Sequence, residues 1–339
     1  MFVAQTVAQN TKISWQIQQS GLTSSFRGLG AVDEKVAWVS GSRGSFARTI
    51  DGGKKWLSNV VAGADSLDFR DIEAFDENSA FIMSAGPGGL SRVYKTENGG
   101  KSWQHLYTNP HPEGFFDGMA FWDANNGIVY GDPVDGKIFI MTTSDGGASW
   151  QRVSPDALPA MREGEYGFAA SGTGIAVYGE SHAWICTGGS AARVFRSTDK
   201  GKSWHVAETP IISGQPSTGI FSLAFRDAKN GIAVGGDYQK PKQARATVAR
   251  TTDGGKSWVL VENASLVTFR SCVGYVPNAG ANLLVAVGSH GASYSADAGL
   301  TWQPIVGPGY HTPNFGGSMS AGWVAGADGR VTKIVLKMN

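Results

Sequence analysis

Thr49-Ile50-Asp51-Gly52-Gly53-Lys54-Lys55-Trp56 is the stretch from which the fold can be read, because its pattern returns five more times. The form is Ser/Thr, any residue, Asp/Asn, any residue, Gly, any residue, Ser/Thr/Lys, Trp. It recurs at Thr96–Trp103, where Asn98 takes the Asp place, and at Thr143–Trp150, Ser197–Trp204, Thr251–Trp258 and Ser295–Trp302. Successive tryptophans lie 47, 47, 54, 54 and 44 residues apart. A period of that size marks an array of like supersecondary units.

Each box reads as a hairpin turn. The carboxylate of Asp51, Asp145, Asp199, Asp253 or Asp297, or the amide of Asn98, folds onto nearby backbone N–H groups. The Gly takes the φ > 0 position that the reversal requires. The Trp opens the next strand and offers a large ring for burial against a neighbouring sheet. Calcium binding by these turns is disfavoured, since each supplies one carboxylate and Ca²⁺ takes six to eight oxygens.

Three further strand signals fill each interval, in the first case Phe26–Val32, Lys35–Gly41 and Ser45–Thr49, with Trp56 opening a fourth. A four-stranded unit of about 40–50 residues is a propeller blade. Trp15 lies 41 residues before Trp56 without a box, and the chain after Trp302 supplies three more strand-like segments. The economical solution lets the N-terminal strand complete the last blade, which closes the ring and removes an open sheet edge. The expected fold is all-β, a single seven-bladed propeller of four-stranded antiparallel blades over residues 11–339. Residues 1–10, MFVAQTVAQN, read as a tail or a truncated signal peptide, and on that basis a periplasmic or secreted location is expected.

Composition narrows the function. With 29 basic against 28 acidic residues and no block of like charge, the chain lacks the footprint of a nucleic-acid binder. No apolar run reaches the roughly 18–20 residues that span a bilayer, so no membrane insertion is expected, and the chain is read as a monomer. Two cysteines, Cys186 and Cys272, make neither a disulfide scaffold nor a metal site, and six scattered histidines show no metal-ligand spacing. No metal and no cofactor is therefore expected.

In a blade the first strand lines the central channel, and the loops entering it share one face with the second-to-third-strand loops. The boxes occupy the opposite face. Aligning the first strands places Arg27, Arg70 and Asp117 each six residues before an Asp, at 33, 76 and 123, with Phe221 six before Asp227. Arg270 follows Phe269 just as Arg27 follows Phe26 and Arg70 follows Phe69, and by the same register blade four offers Tyr166, preceded by Glu163 and Glu165. Arg43, Arg92, Asp132, Asp135, Arg193, Asp237 and His290 join them from the second-to-third loops. Such charges can pair with one another at a wet channel mouth. The functional reading is that Arg27, Arg70, Arg270, Arg43, Arg92 and Arg193 present bidentate forks to a carboxylate, on an acidic protein segment or an acidic glycan.

The boxes resemble the Asp-box, or BNR, repeats of sialidases and related propellers, in which the boxes are structural. Units such as Phe26–Val32 followed by Trp38 and Arg48–Trp56 look like the photosystem II stability/assembly factor family. That resemblance implies a non-catalytic, chaperone-like seven-bladed propeller that binds a membrane-protein precursor partly through an arginine patch. The likeness to sialidases implies an alternative, a glycoside hydrolase acting on acidic glycans. There Arg27, Arg70 and Arg270 would hold a substrate carboxylate, Asp117 would be the acid/base, and Tyr166 with Glu163 or Glu165 the nucleophile pair. Phe26-Arg27-Gly28-Leu29 departs from the sialidase Phe-Arg-Ile-Pro motif, and those enzymes have six blades, which shifts relative positions.

Overall fold

All six boxes fold as the same hydrogen-bonded turn. In the first, Thr49 Oγ1 donates to Asp51 Oδ1 at 2.9 Å, while Gly53 N donates to Thr49 Oγ1 at 2.9 Å and Lys55 N to Asp51 Oδ1 at 3.0 Å. Asn98 reproduces this with its amide oxygen, and its Nδ2 donates to Ser102 Oγ where the last four boxes have a serine or threonine hydroxyl donating to Asp. The box glycines, from Gly53 to Gly299, all have φ between 78° and 86°. A Cβ there would be strained, which is why the position is Gly six times over.

The structure, a computed structural model, describes residues 11–262, 267–277, 282–317 and 321–338. Seven antiparallel sheets form the blades of a propeller. Their first strands are Phe26–Ala31, Phe69–Ala74, Phe116–Phe121, Ile175–Tyr178, Thr218–Phe225, Cys272–Tyr275 and Thr312–Asn314. First strands of successive blades lie side by side around the axis. Second strands such as Ala37–Gly41, Ala80–Ser84 and Leu284–Gly288 are buried along their whole length, and seven apolar clusters sit one at each blade–blade interface. Trp38, Phe46, Phe69 and Tyr94, for example, join blades one and two.

Thr11–Gln19 closes the ring as expected. It pairs in nine steps with Arg330–Met338, from Thr11 opposite Met338 to Gln19 opposite Arg330. Trp15 stacks on Tyr310 at 5.4 Å between ring centroids. Gln18 ties blade seven to blade one: its Oε1 accepts the indole N–H of Trp56 and of Trp323, each at 3.1 Å. The stretch read as a signal-peptide remnant, residues 1–10, lies outside the described residues.

Blade four departs from the sequence reading. Tyr166 does not stand in its first strand. It belongs to the two-residue strand Glu165–Tyr166, which pairs with Gly188–Gly189 and extends the sheet of blade five. The first strand proper begins at Ile175, opposite Ile185. Cys186 and Cys272 are buried free thiols.

Candidate functional site

A β-bulge interrupts the first strand at the same place in four blades. The residue left without a cross-strand partner is Arg27, Arg70, Asp117 or Phe221. A bulge re-aims its extra side chain, and here all four line one cavity of about 520 Å³ at the channel mouth. In blades six and seven, Cys272 opposite Val287 and Thr312 opposite Ala325 put Ser271 and His311 in that place, and both line the same cavity.

Arg270 is therefore one residue out of register. It takes the position of Phe26 and turns into its own blade, where its guanidinium donates to Thr268 Oγ1, the Phe269 carbonyl and Ser293 Oγ. Burial lowers its pKa to about 10, and it does not reach the mouth.

The floor of the cavity is a segment of blade four, residues 167–174, that crosses the channel. Gly167 N donates to Asp132 Oδ1 at 3.0 Å. Ser171 Oγ reaches the Ser271 carbonyl in blade six at 3.0 Å, and Thr173 Oγ1 reaches Ser222 Oγ in blade five at 2.7 Å. Glycine is required twice, because a Cβ on Gly167 would overlap the Asp117 carboxyl and one on Gly172 that of Asp71. The two mouth arginines grip this segment from the far side. Arg27 Nη1 donates to the Ala170 carbonyl at 3.1 Å and Arg70 Nη1 to the Ala169 carbonyl at 3.0 Å, while Arg70 Nε pairs with Asp68 at 2.8 Å.

Electrostatically the mouth is divided. Burial, and then the charge of Arg70, lower Arg27 to about 10, so it stays cationic at neutral pH. Burial, reinforced by Arg27, lowers His311 to about 4 and keeps the imidazole neutral, with Nδ1 3.0 Å from the Phe26 carbonyl. Asp117 faces Asp132. Burial, and then Asp132, push Asp117 well above the usual carboxylate range, and burial raises Asp132 to about 6. Two carboxyls so close cannot both ionise without cost. Beneath the crossing segment burial raises Asp71 to about 7, against the hydrogen bonds from Met119 N and Ile72 N.

The remaining candidates disperse. Arg193 is buried and chelated by Glu165, which also accepts from Thr187 Oγ1 at 2.6 Å and Arg162 N at 2.9 Å. Arg43 is exposed and donates to Thr23 Oγ1, and Arg92 donates to the Gly89 carbonyl and to Tyr94. Tyr166 lines the cavity but its hydroxyl donates to the Pro216 carbonyl, and Glu163 is exposed. The sialidase arrangement is not assembled: one of its three arginines points away, its acid faces another carboxyl, and Glu165 is bound to Arg193. Sequence reasoning does not find His311 and Ser271, because no Asp follows them at the spacing that marks the other blades, nor Tyr238, an uncharged residue in the second-to-third-strand loop of blade five.

Residues 7–115 match the family model described as photosynthesis system II assembly factor YCF48. Among solved structures, YCF48 bound to D1 peptide superposes with a TM-score of 0.66 at 16% identity, covering 95% of this chain and 94% of that one. YCF48 from Cyanidioschyzon merolae gives 0.62 at 16% identity, over 95% and 99%. The GH74 xyloglucanase from Xanthomonas campestris gives 0.64 at 14% identity, with 95% of this chain on 53% of that one. These identities establish a shared fold. No curated protein matches by sequence. With six Asp boxes, seven closed blades and that match over its first blades, the chain is an Asp-box propeller resembling the photosystem II stability/assembly factor family.

Proposed function

We propose that this propeller is a non-catalytic binding factor of the assembly-factor type, and that its channel mouth takes a carboxylate-bearing segment of a protein partner. One observation carries the reading. Two guanidinium groups from adjacent blades converge on the adjacent carbonyls of Ala169 and Ala170 at the floor of an open cavity, with Asp68 as their one ion-pair partner among the described residues. Each fork keeps N–H groups beyond those bonds, and a carboxylate is the planar acceptor that fits them. The blind floor favours a side chain or chain end over a threaded strand. The relative whose structure is described as bound to D1 peptide supports a peptide as ligand class. A fluorescein-labelled hexaglutamate peptide tests it by anisotropy. The intact chain should bind it with an affinity that falls as salt rises, and Arg27→Ala should weaken it about tenfold or more. Binding indifferent to Arg27 would remove the proposal.

A further inference from the structure

Seven of the apolar clusters fill blade interfaces, but an eighth does not. It is built from Ala170, Phe221 and Phe269 with Phe168 against them, and it stands at the mouth on the side of blades four to six. Phe168 stacks on Phe221 at 3.9 Å and 9° between planes, and Phe269 meets Phe221 edge-on at 4.8 Å. Tyr238 stands edge-on to both Phe168 and Phe221, at 6.4 and 6.2 Å, and is 46% exposed. Phe221 and Phe269 are accounted for as packing. Tyr238 and the half-buried Phe168 are not, because they turn apolar surface to the open cavity that Arg27 and Arg70 line from the other side.

From this division we infer that the mouth reads two features at once. A carboxylate goes to Arg27 and Arg70, and a bulky apolar or aromatic side chain close to it in sequence goes against Tyr238 and the Phe168–Phe221 stack. The inference rests on the carboxylate reading above and adds to it the chemical class of the neighbouring residue. An aromatic wall on a concave cavity supplies apolar burial and edge-to-face contacts, and a peptide carrying charge alone would leave that wall wet. Concavity also favours a peptide over a lipid surface, which would need the rings to protrude.

Three fluorescein-labelled peptides test this: one with two adjacent glutamates and a phenylalanine two residues on, one with that phenylalanine replaced by alanine, and one with the glutamates replaced by glutamine. The intact chain should prefer the first over the second by about tenfold, the scale of burying one aromatic side chain. Tyr238→Ala should reduce that preference to about threefold or less, and Tyr238→Phe should keep it, since the ring and not the hydroxyl is used. Arg70→Ala should weaken both glutamate peptides alike and leave their ratio unchanged. Tyr238 is chosen over Phe168 because it lies outside the crossing segment and its loss opens no core. Equal binding of the first two peptides would overturn the inference and leave the carboxylate reading standing. Failure of both glutamate peptides to bind, or equal binding of the glutamine peptide, would overturn both. Capture of anionic phosphatidylglycerol vesicles that depends on Tyr238, with no peptide preference, would reassign the aromatic wall to a membrane surface and overturn it too.

Discussion

Arg70 in blade two donates to the carbonyl of Ala169 in blade four, 3.0 Å away across the channel. The residue proposed to bind the partner therefore also holds the segment that closes the channel beneath it. Gly172 on that segment has φ +76°, and a Cβ there would meet the Asp71 carboxyl. Gly172→Ala should cost at least ~1–2 kcal/mol from the left-handed backbone alone, and it should lower acidic-peptide affinity because the floor moves. Urea unfolding and a peptide titration on one preparation check this. Unchanged affinity together with reduced stability would separate floor from site.

Binding should weaken as pH rises. Asp132 and Asp117 have raised values, so the pair gains negative charge as pH passes through about 6 and above, beside Arg70, and repels an acidic peptide whose own carboxylates are already ionised. The pair titrates as a unit. Asp117→Asn leaves Asp132, which burial raises to about 6, to titrate alone. Between pH 5 and 8 the variant should therefore keep the fall near pH 6 and lose the part above it that Asp117 contributes. In stability the sign is the same. A raised carboxyl contributes most below its unfolded value and loses that contribution as pH climbs through its folded one. Titrations of intact chain and variant across this range decide the point, and a profile that rises with pH would contradict it.

Arg193 and Glu165 form a buried pair rather than part of a ligand site. Removing one partner strands a buried charge, so Arg193→Met should cost about 3–5 kcal/mol of unfolding free energy. Chemical denaturation measures it. A loss of peptide binding at full stability would return Arg193 to the site.

Gln18 is the seam of the ring. Gln18→Ala leaves the buried indole N–H groups of Trp56 and Trp323 without their shared acceptor. An unsatisfied buried donor costs about 1–3 kcal/mol, and deletion of residues 1–19 should cost more, since it strips nine paired residues from Arg330–Met338 and reopens an edge. Thermal melts of the two forms should fall in that order. A deletion form that melts like the intact chain would contradict the closure.

The fold was legible because the box is a local turn whose residues make their own hydrogen bonds, so its spelling survives six times. The mouth was legible only where a second local turn marked the register. Asp33, Asp76, Asp123 and Asp227 each accept from backbone N–H groups two and three residues on, as in Lys35 and Val36 onto Asp33 at 2.7 and 2.8 Å. Counting back six residues from these aspartates finds the four bulges. Blades four, six and seven lack that Asp. Without it the alignment followed Phe269-Arg270 by likeness to Phe26-Arg27 and slipped one residue past Ser271. In blade four it settled on Tyr166, because the crossing segment inserts residues that no periodicity announces. His311 had no local signal, and the aromatic wall is assembled from three blades, which spacing along the chain does not show.

The central claim is that the partner binds the mouth and not the box face. One experiment addresses it directly: anisotropy titration of a glutamate-rich peptide against the intact chain, Arg70→Ala and Asp145→Ala, with a thermal melt of each. Arg70→Ala should weaken binding by about 1.5–3 kcal/mol, the range for a hydrogen bond to a charged group, while Asp145→Ala, which removes a box carboxylate bonded to Ser149 and Thr143, should lower the melting temperature and leave affinity unchanged. Affinity that follows Asp145 and ignores Arg70 would place the partner on the opposite face and contradict the account.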